Sequence, residues 1–177
     1  KWQDLALVPY APLALDPATM VFHYGQSIFE GLKAYRNRSS LHLFRPMDHA
    51  RRFNLSAKRM AMPVFPEESF VEGVVAFCHA VAPLVPADEV SNLYLRPFMF
   101  ADQVGLGVPS GRYFSDEAVK VMIERSYSRA ASGGGTGAVK TGGNYAPSLL
   151  TDRRAKTSGF HQTLWLDSST RKNVEEL

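Results

Sequence analysis

Cysteine is almost missing: Cys78 stands alone among 177 residues. No intrachain disulfide can form, and no thiolate cluster can hold a metal. A reducing compartment suits that usage. No run of 18 apolar residues occurs, so no segment is a candidate transmembrane helix. The opening KWQDLALVPYAP also lacks the basic stretch, apolar run and small-residue cleavage site of a secretory leader. These absences predict a soluble, cytoplasmic protein with no membrane partner. The start at Lys1, rather than Met, leads us to expect residues upstream.

Concentrated charge is lacking too. The chain sets 20 Lys+Arg against 17 Asp+Glu for a net charge of +3, and its densest basic groups, Arg51-Arg52 and Arg153-Arg154, are short pairs within amphipathic patterns. A groove that tracks nucleic-acid phosphates wants a clustered basic face with interleaved aromatics, so no nucleic-acid partner is expected. What is present is apolar substance. At 45% hydrophobic the chain can bury a real core, as one domain or as one domain and part of another.

Along the chain, residues 1–19 are rich in proline and aliphatics, which predicts an extended arm. Leu41–Phe44 alternates like a half-buried strand. Pro46 opens a helix expected to reach about Met60, with Asp48 near its positive end. Ser69 is a plausible N-cap for a second helix, with Phe70, Val74, Phe77 and Val81 on one stripe and Val71, Val75 and Cys78 beside it. Ser91–Phe100 and Ala118–Ile123 are rich in β-formers. SRAASGGGTGA, residues 128–138, is small and glycine-dense, the composition of a linker or of a loop over a site. Beyond it, Ala146–Ser158 reads as a helix opened by Pro147, and Gln162–Leu166 as a strand entering a polar turn.

VKTGGNYAPSLL admits three chemistries. It fails as a phosphate loop, because Val139 stands where glycine must precede the lysine. Gly133, Gly135 and Ala138 match a dinucleotide fingerprint only loosely, and no acidic residue follows at the required distance. The third reading is a Schiff base between Lys140 and an aldehyde cofactor, with Gly142 and Gly143 leaving flat backbone for a planar ring to approach. Taken alone, a lysine beside two glycines is more often a surface turn.

FHYGQSIFEGLKAYR, LFRPMDHARRFNLSAKRM, LYLRPF, GTGAVKTGGNYAPSLL and FHQTLWLDSSTRKNVEEL, in that order, together resemble the branched-chain aminotransferases of the fold-type IV, pyridoxal-phosphate-dependent family. The resemblance implies a two-domain α/β (α+β) fold like that of D-amino-acid aminotransferase. Its smaller domain would span residues 1–125, the interdomain loop 126–138, and the start of a larger, incomplete cofactor-binding domain 139–177. The implied cofactor is pyridoxal 5′-phosphate, with no metal, and the implied assembly is a homodimer. Lys140 matches the lysine that carries the cofactor. Arg52 matches the arginine on its phosphate, for which a guanidinium fork is apt, and adjacent Arg51 is expected to be surface. Tyr145 matches the tyrosine bonded to the phenolic oxygen, and Glu176, in preference to Glu175, the glutamate on the pyridine nitrogen. Tyr24, Phe29, Tyr94 and Arg96 match substrate-pocket positions. Aromatic rings would hold the side chain of leucine, isoleucine or valine, and Arg96 with Tyr24 the distal carboxylate of glutamate or 2-oxoglutarate.

Two departures stand out: the chain stops where the family continues into a glycine-threonine turn, and the segment around Gly111–Ser115 is short, as if a strand were missing. The nearest rivals are a D-amino-acid aminotransferase and an aminodeoxychorismate lyase. From another class comes a non-catalytic interaction module.

Overall fold

The computed structural model describes residues 2–86, 88, 91–105, 119–129, 133–135, 137 and 141–176. In chain order the elements are α1 (Met20–Tyr24), β1 (Ser27–Phe29), β2 (Leu32–Asn37), β3 (Ser40–Leu43), α2 (Pro46–Arg59), α3 (Glu67–Val81), β4 (Asn92–Leu95), β5 (Phe98–Phe100), β6 (Val121–Glu124), α4 (Gly142–Tyr145), α5 (Leu149–Thr157), β7 (Gln162–Leu166) and β8 (Val174–Glu176). Helices and sheets are mixed, as expected. By contacts the chain forms two compact units, one of residues 1–14, 28–58 and 63–99, the other of 15–27, 59–62 and 100–177.

In the first unit β3, β2 and β4 form an antiparallel sheet, with Ala34 opposite both Leu43 and Leu93. Alternation along β2 buries Leu32 and Ala34 and exposes Lys33 and Tyr35. Ala50, Phe53, Asn54 and Ala57 form the buried stripe of α2, at helical spacing. On α3 the stripe is Phe70, Val74 and Cys78. Phe53 and Phe70 meet with ring centroids 5.4 Å apart, and burying each such side chain stabilises by about 1.5–3 kcal/mol. Trp2 of the arm donates its indole N–H to the Val64 carbonyl at 2.7 Å.

In the second unit β6 and β7 run parallel, β7 and β8 antiparallel with a bulge at Trp165/Leu166, and α5 packs on β6 and β7. Thr163 and Trp165 are the buried residues of β7, and Thr151 and Ala155 those of α5.

Several expectations shift. α3 begins at Glu67 after Pro66, with two acidic residues in its first turn, so Ser69 is no cap. Phe77 and Val75 lie outside its buried stripe and are exposed. The strand expected over 91–100 breaks at Arg96-Pro97, since Pro97 has no N–H for a ladder, and its halves join different sheets. The strand expected over 118–123 runs instead from Val121 to Glu124, with Ala118 outside the described residues. The helix expected to open at Pro147 opens earlier. α4 starts after Thr141, a 3-10 turn over Ala146–Ser148 absorbs the proline, and α5 follows.

Candidate active site

Lys140 lies outside the described residues; the other candidates fall into groups within each unit.

The first group, in the first unit, surrounds Glu30, which directly follows β1. Glu30 is a buried carboxylate, only 4% exposed. Arg52 on α2 grips it side-on, with Nε 2.5 Å from Oε1 and Nη2 2.7 Å from Oε2. His49, one turn earlier, places Nδ1 2.7 Å from Oε2. An ionised carboxylate only accepts, so Nδ1 carries the proton. Burial pushes the Glu30 carboxyl up, yet the bonds from Arg52 and His49 more than offset it and hold its pKa below the usual carboxylate value. The Arg52 side chain is 62% exposed. Arg51 points elsewhere, to Asp48 at 3.0 Å and Glu67 at 3.6 Å on the surface.

The second group, also in the first unit, joins Phe29, Tyr94 and Arg96. Arg96 donates to the Tyr94 hydroxyl from Nη2 at 2.8 Å and Nε at 3.1 Å, and its guanidinium carbon stands 4.3 Å from the Phe29 ring centroid. A Cβ at Gly31 would stand 2.6 Å from the Tyr94 hydroxyl, so only glycine leaves that ring its place. An apolar hollow of about 460 Å³, lined in part by Tyr94 and Arg96, reaches the arm and α3.

The third group belongs to the second unit. Tyr24 ends α1 and Tyr145 ends α4, with ring centroids 6.2 Å apart and edge to face. What brings them together is a backbone contact. A Cβ on Gly142 would lie 2.8 Å from the Gly25 nitrogen, and one on Gly25 3.0 Å from the Gly142 carbonyl carbon. Gly25 also takes a left-handed φ of 59° as the C-cap of α1. Gly142 is therefore required by chain packing, whereas Gly143 has nothing within 4 Å of its Cβ position. Glu176 on β8 is half-exposed and pairs with Arg129. Arg129 in turn lies 5.8 Å from the Tyr145 ring centroid, which links Tyr145 and Glu176 through one cation. A cleft of about 550 Å³ is lined by Tyr24, Arg129, Tyr145 and Thr163, among others. Glu175 neighbours Glu176 on β8 and is exposed.

Among the described residues no group of three or more His, Cys, Asp or Glu is placed to hold a metal, and no helix is long and apolar enough to cross a membrane.

No family model matches the chain. Over 193 residues it is 42% identical to branched-chain-amino-acid transaminase 1 of Bacillus subtilis (strain 168), a match covering 99% of this chain and 54% of the relative. It is 44% identical over 195 residues to the branched-chain-amino-acid aminotransferase of Mycolicibacterium smegmatis, covering 99% and 52%. The chain is homologous to branched-chain aminotransferases. It spans about half the length of the curated relatives it matches. The alignments are longer than its 177 residues, so these branched-chain aminotransferases carry residues inside the matched region that this chain lacks. The shortening expected near Gly111–Ser115 falls outside the described residues.

Among solved structures, a T.th. branched-chain amino acid aminotransferase with pyridoxamine 5′-phosphate is 28% identical, with 96% of this chain and 59% of that one covered and a TM-score of 0.47. The Escherichia coli branched-chain amino acid aminotransferase is also 28% identical, with 88% and 53% covered and a TM-score of 0.43. Neither superposition carries an argument, and the relationship to branched-chain aminotransferases rests on sequence.

Sequence reasoning missed Glu30, His49, Gly25, Gly31 and Arg129. The signal for Glu30 was present: a carboxylate in an otherwise apolar stretch, SIFEGL, demands a partner.

Proposed function

We propose that the whole protein moves the amino group of leucine, isoleucine or valine to 2-oxoglutarate with pyridoxal 5′-phosphate, giving branched-chain 2-oxo acids and glutamate. The observation that carries the substrate reading is the cluster of Phe29, Tyr94 and Arg96. Two aromatic rings supply apolar surface, and one guanidinium, held by the Tyr94 hydroxyl, lies over them. One pocket can then take an aliphatic side chain or a distal carboxylate.

The residues present fit the cofactor in chemical type. Arg52 keeps N–H groups beyond the edge that Glu30 occupies, and a phosphate needs such donors. Tyr145 and Glu176 both meet Arg129, and a hydroxyl donor and a carboxylate suit a phenolic oxygen and a protonated pyridine nitrogen. Gly143 leaves open backbone beside them.

Bound, the cofactor supplies the electron sink that lets the substrate's α-proton leave. In this reading Lys140 anchors it and then holds that proton on Nζ. Tyr145 steadies the phenolic oxygen by hydrogen bonding, and Glu176 keeps the pyridine nitrogen protonated. Tyr24 and Arg96 orient the carboxylate of the dicarboxylic partner. Alternating release of one product before entry of the next substrate follows. The cytoplasmic homodimer implied by the resemblance completes the proposal.

The test is an assay of the whole protein with 2-oxoglutarate and either leucine or D-alanine. Glutamate formed with leucine and not with D-alanine supports the reading. The reverse preference assigns the chain to the D-amino-acid branch.

A further inference from the structure

Glu30 has no role in the mechanism above, yet it is the most buried carboxylate among the described residues and accepts hydrogen bonds from two side chains of α2. A guanidinium has five N–H bonds in one plane. Glu30 engages the side edge of Arg52, Nε and one N–H of Nη2, which leaves the end edge, formed by Nη1 and the outer N–H of Nη2. That edge can grip a second oxyanion with two parallel bonds. The 62% exposure of the Arg52 side chain leaves it room to do so, while Glu30 itself is covered. His49 also bonds Oε2, which restrains the carboxylate.

We propose that Glu30, clamped by His49, is a positioning residue that fixes the outward edge of Arg52 toward the cofactor phosphate. This rests on the reading of Arg52 as the phosphate ligand. The gain is geometric. A long side chain bound at one edge has less rotamer freedom to lose when the other edge takes its ligand. The opposing effect is repulsion between carboxylate and phosphate, so the sign of the change on removing Glu30 decides between preorganisation and competition.

The test titrates pyridoxal 5′-phosphate and phosphate-free pyridoxal into the whole protein as wild type, Glu30→Gln, Arg52→Ala and the double variant, with cofactor-free melting curves of each. Selectivity is the ratio of the two affinities, which a general loss of folding does not change. Arg52→Ala should lower selectivity by more than tenfold, as loss of a charge-assisted bond implies. Glu30→Gln should lower it by about three- to tenfold and have no further effect once Arg52 is absent. Unchanged selectivity in Arg52→Ala removes the Arg52 reading, and this inference with it. Arg52→Ala selective, with Glu30→Gln neutral, more selective than wild type or additive with it, overturns the positioning role alone. If Glu30→Gln melts too low to titrate, His49→Ala, which removes the clamp and leaves the Arg52 pair, takes its place and should lower selectivity in the same direction; no change overturns the role.

Discussion

Arg96 meets two aromatic rings and one hydroxyl within a single strand end and its neighbour. Glutamate brings a distal carboxylate that could meet this guanidinium, and leucine has none. Removing its charge should therefore split the two half-reactions. A charge-assisted hydrogen bond is worth about 1.5–3 kcal/mol, so Arg96→Gln should weaken single-turnover reaction with glutamate by tenfold or more and leave that with leucine within a fewfold. Equal loss with both substrates, accompanied by a lower melting temperature, makes Arg96 a scaffold residue instead. Residue type alone favours ordinary core aromatics at Phe29 and Tyr94; the resemblance marked them, with Arg96, as pocket positions. It did not reveal Gly31, whose missing Cβ makes room for Tyr94, because a steric vacancy is visible only when its neighbour across the sheet is known.

Elements position these residues through contacts of backbone on backbone. α1 ends and α4 begins where Gly25 and Gly142 touch, and the tyrosines at 24 and 145 face one another as a consequence. A methyl group on Gly142 has no free direction. Gly142→Ala should cost about 1–3 kcal/mol by overpacking, lowering the melting temperature by several degrees, and should weaken cofactor binding by shifting Tyr145. Unchanged melting and binding would show that the contact is slack. Periodicity marked the long elements well: α2 ends at Arg59, against an expected Met60, and β7 occupies the expected Gln162–Leu166. It failed where proline redirected the chain, at Pro97 and Pro147, and where short strands such as β1 and β8 depend on partners distant in sequence.

A second carboxylate ties elements together. Glu124, at the end of β6, accepts from the Ser126 and Tyr127 backbone N–H groups and from the Thr151 hydroxyl of α5. Burial pushes its carboxyl up, but those bonds hold its pKa below the ordinary 4.5. A carboxyl with a depressed folded pKa adds stability above its unfolded pKa and loses it as pH falls through the folded value. The stability gap between wild type and Glu124→Gln should thus be full near neutrality and narrow as pH drops below 4.5. A gap constant from neutral to acid pH, by thermal melting, contradicts that linkage.

At the scale of the whole molecule, the chain covers about half of each curated relative, and its candidate residues are spread over two compact units: Arg52, Phe29, Tyr94 and Arg96 in one, Tyr24, Tyr145 and Glu176 in the other. The order of five motifs along the sequence identified the homology, which no local pattern in either unit could do. Every step proposed for this protein depends on a lysine-bound cofactor. That bond can be read by loading the whole protein with pyridoxal 5′-phosphate, reducing with borohydride and mapping the modified peptide by mass. A single phosphopyridoxyl group on Lys140 is expected; a group on any other lysine, or none, rules out the assignment of Lys140.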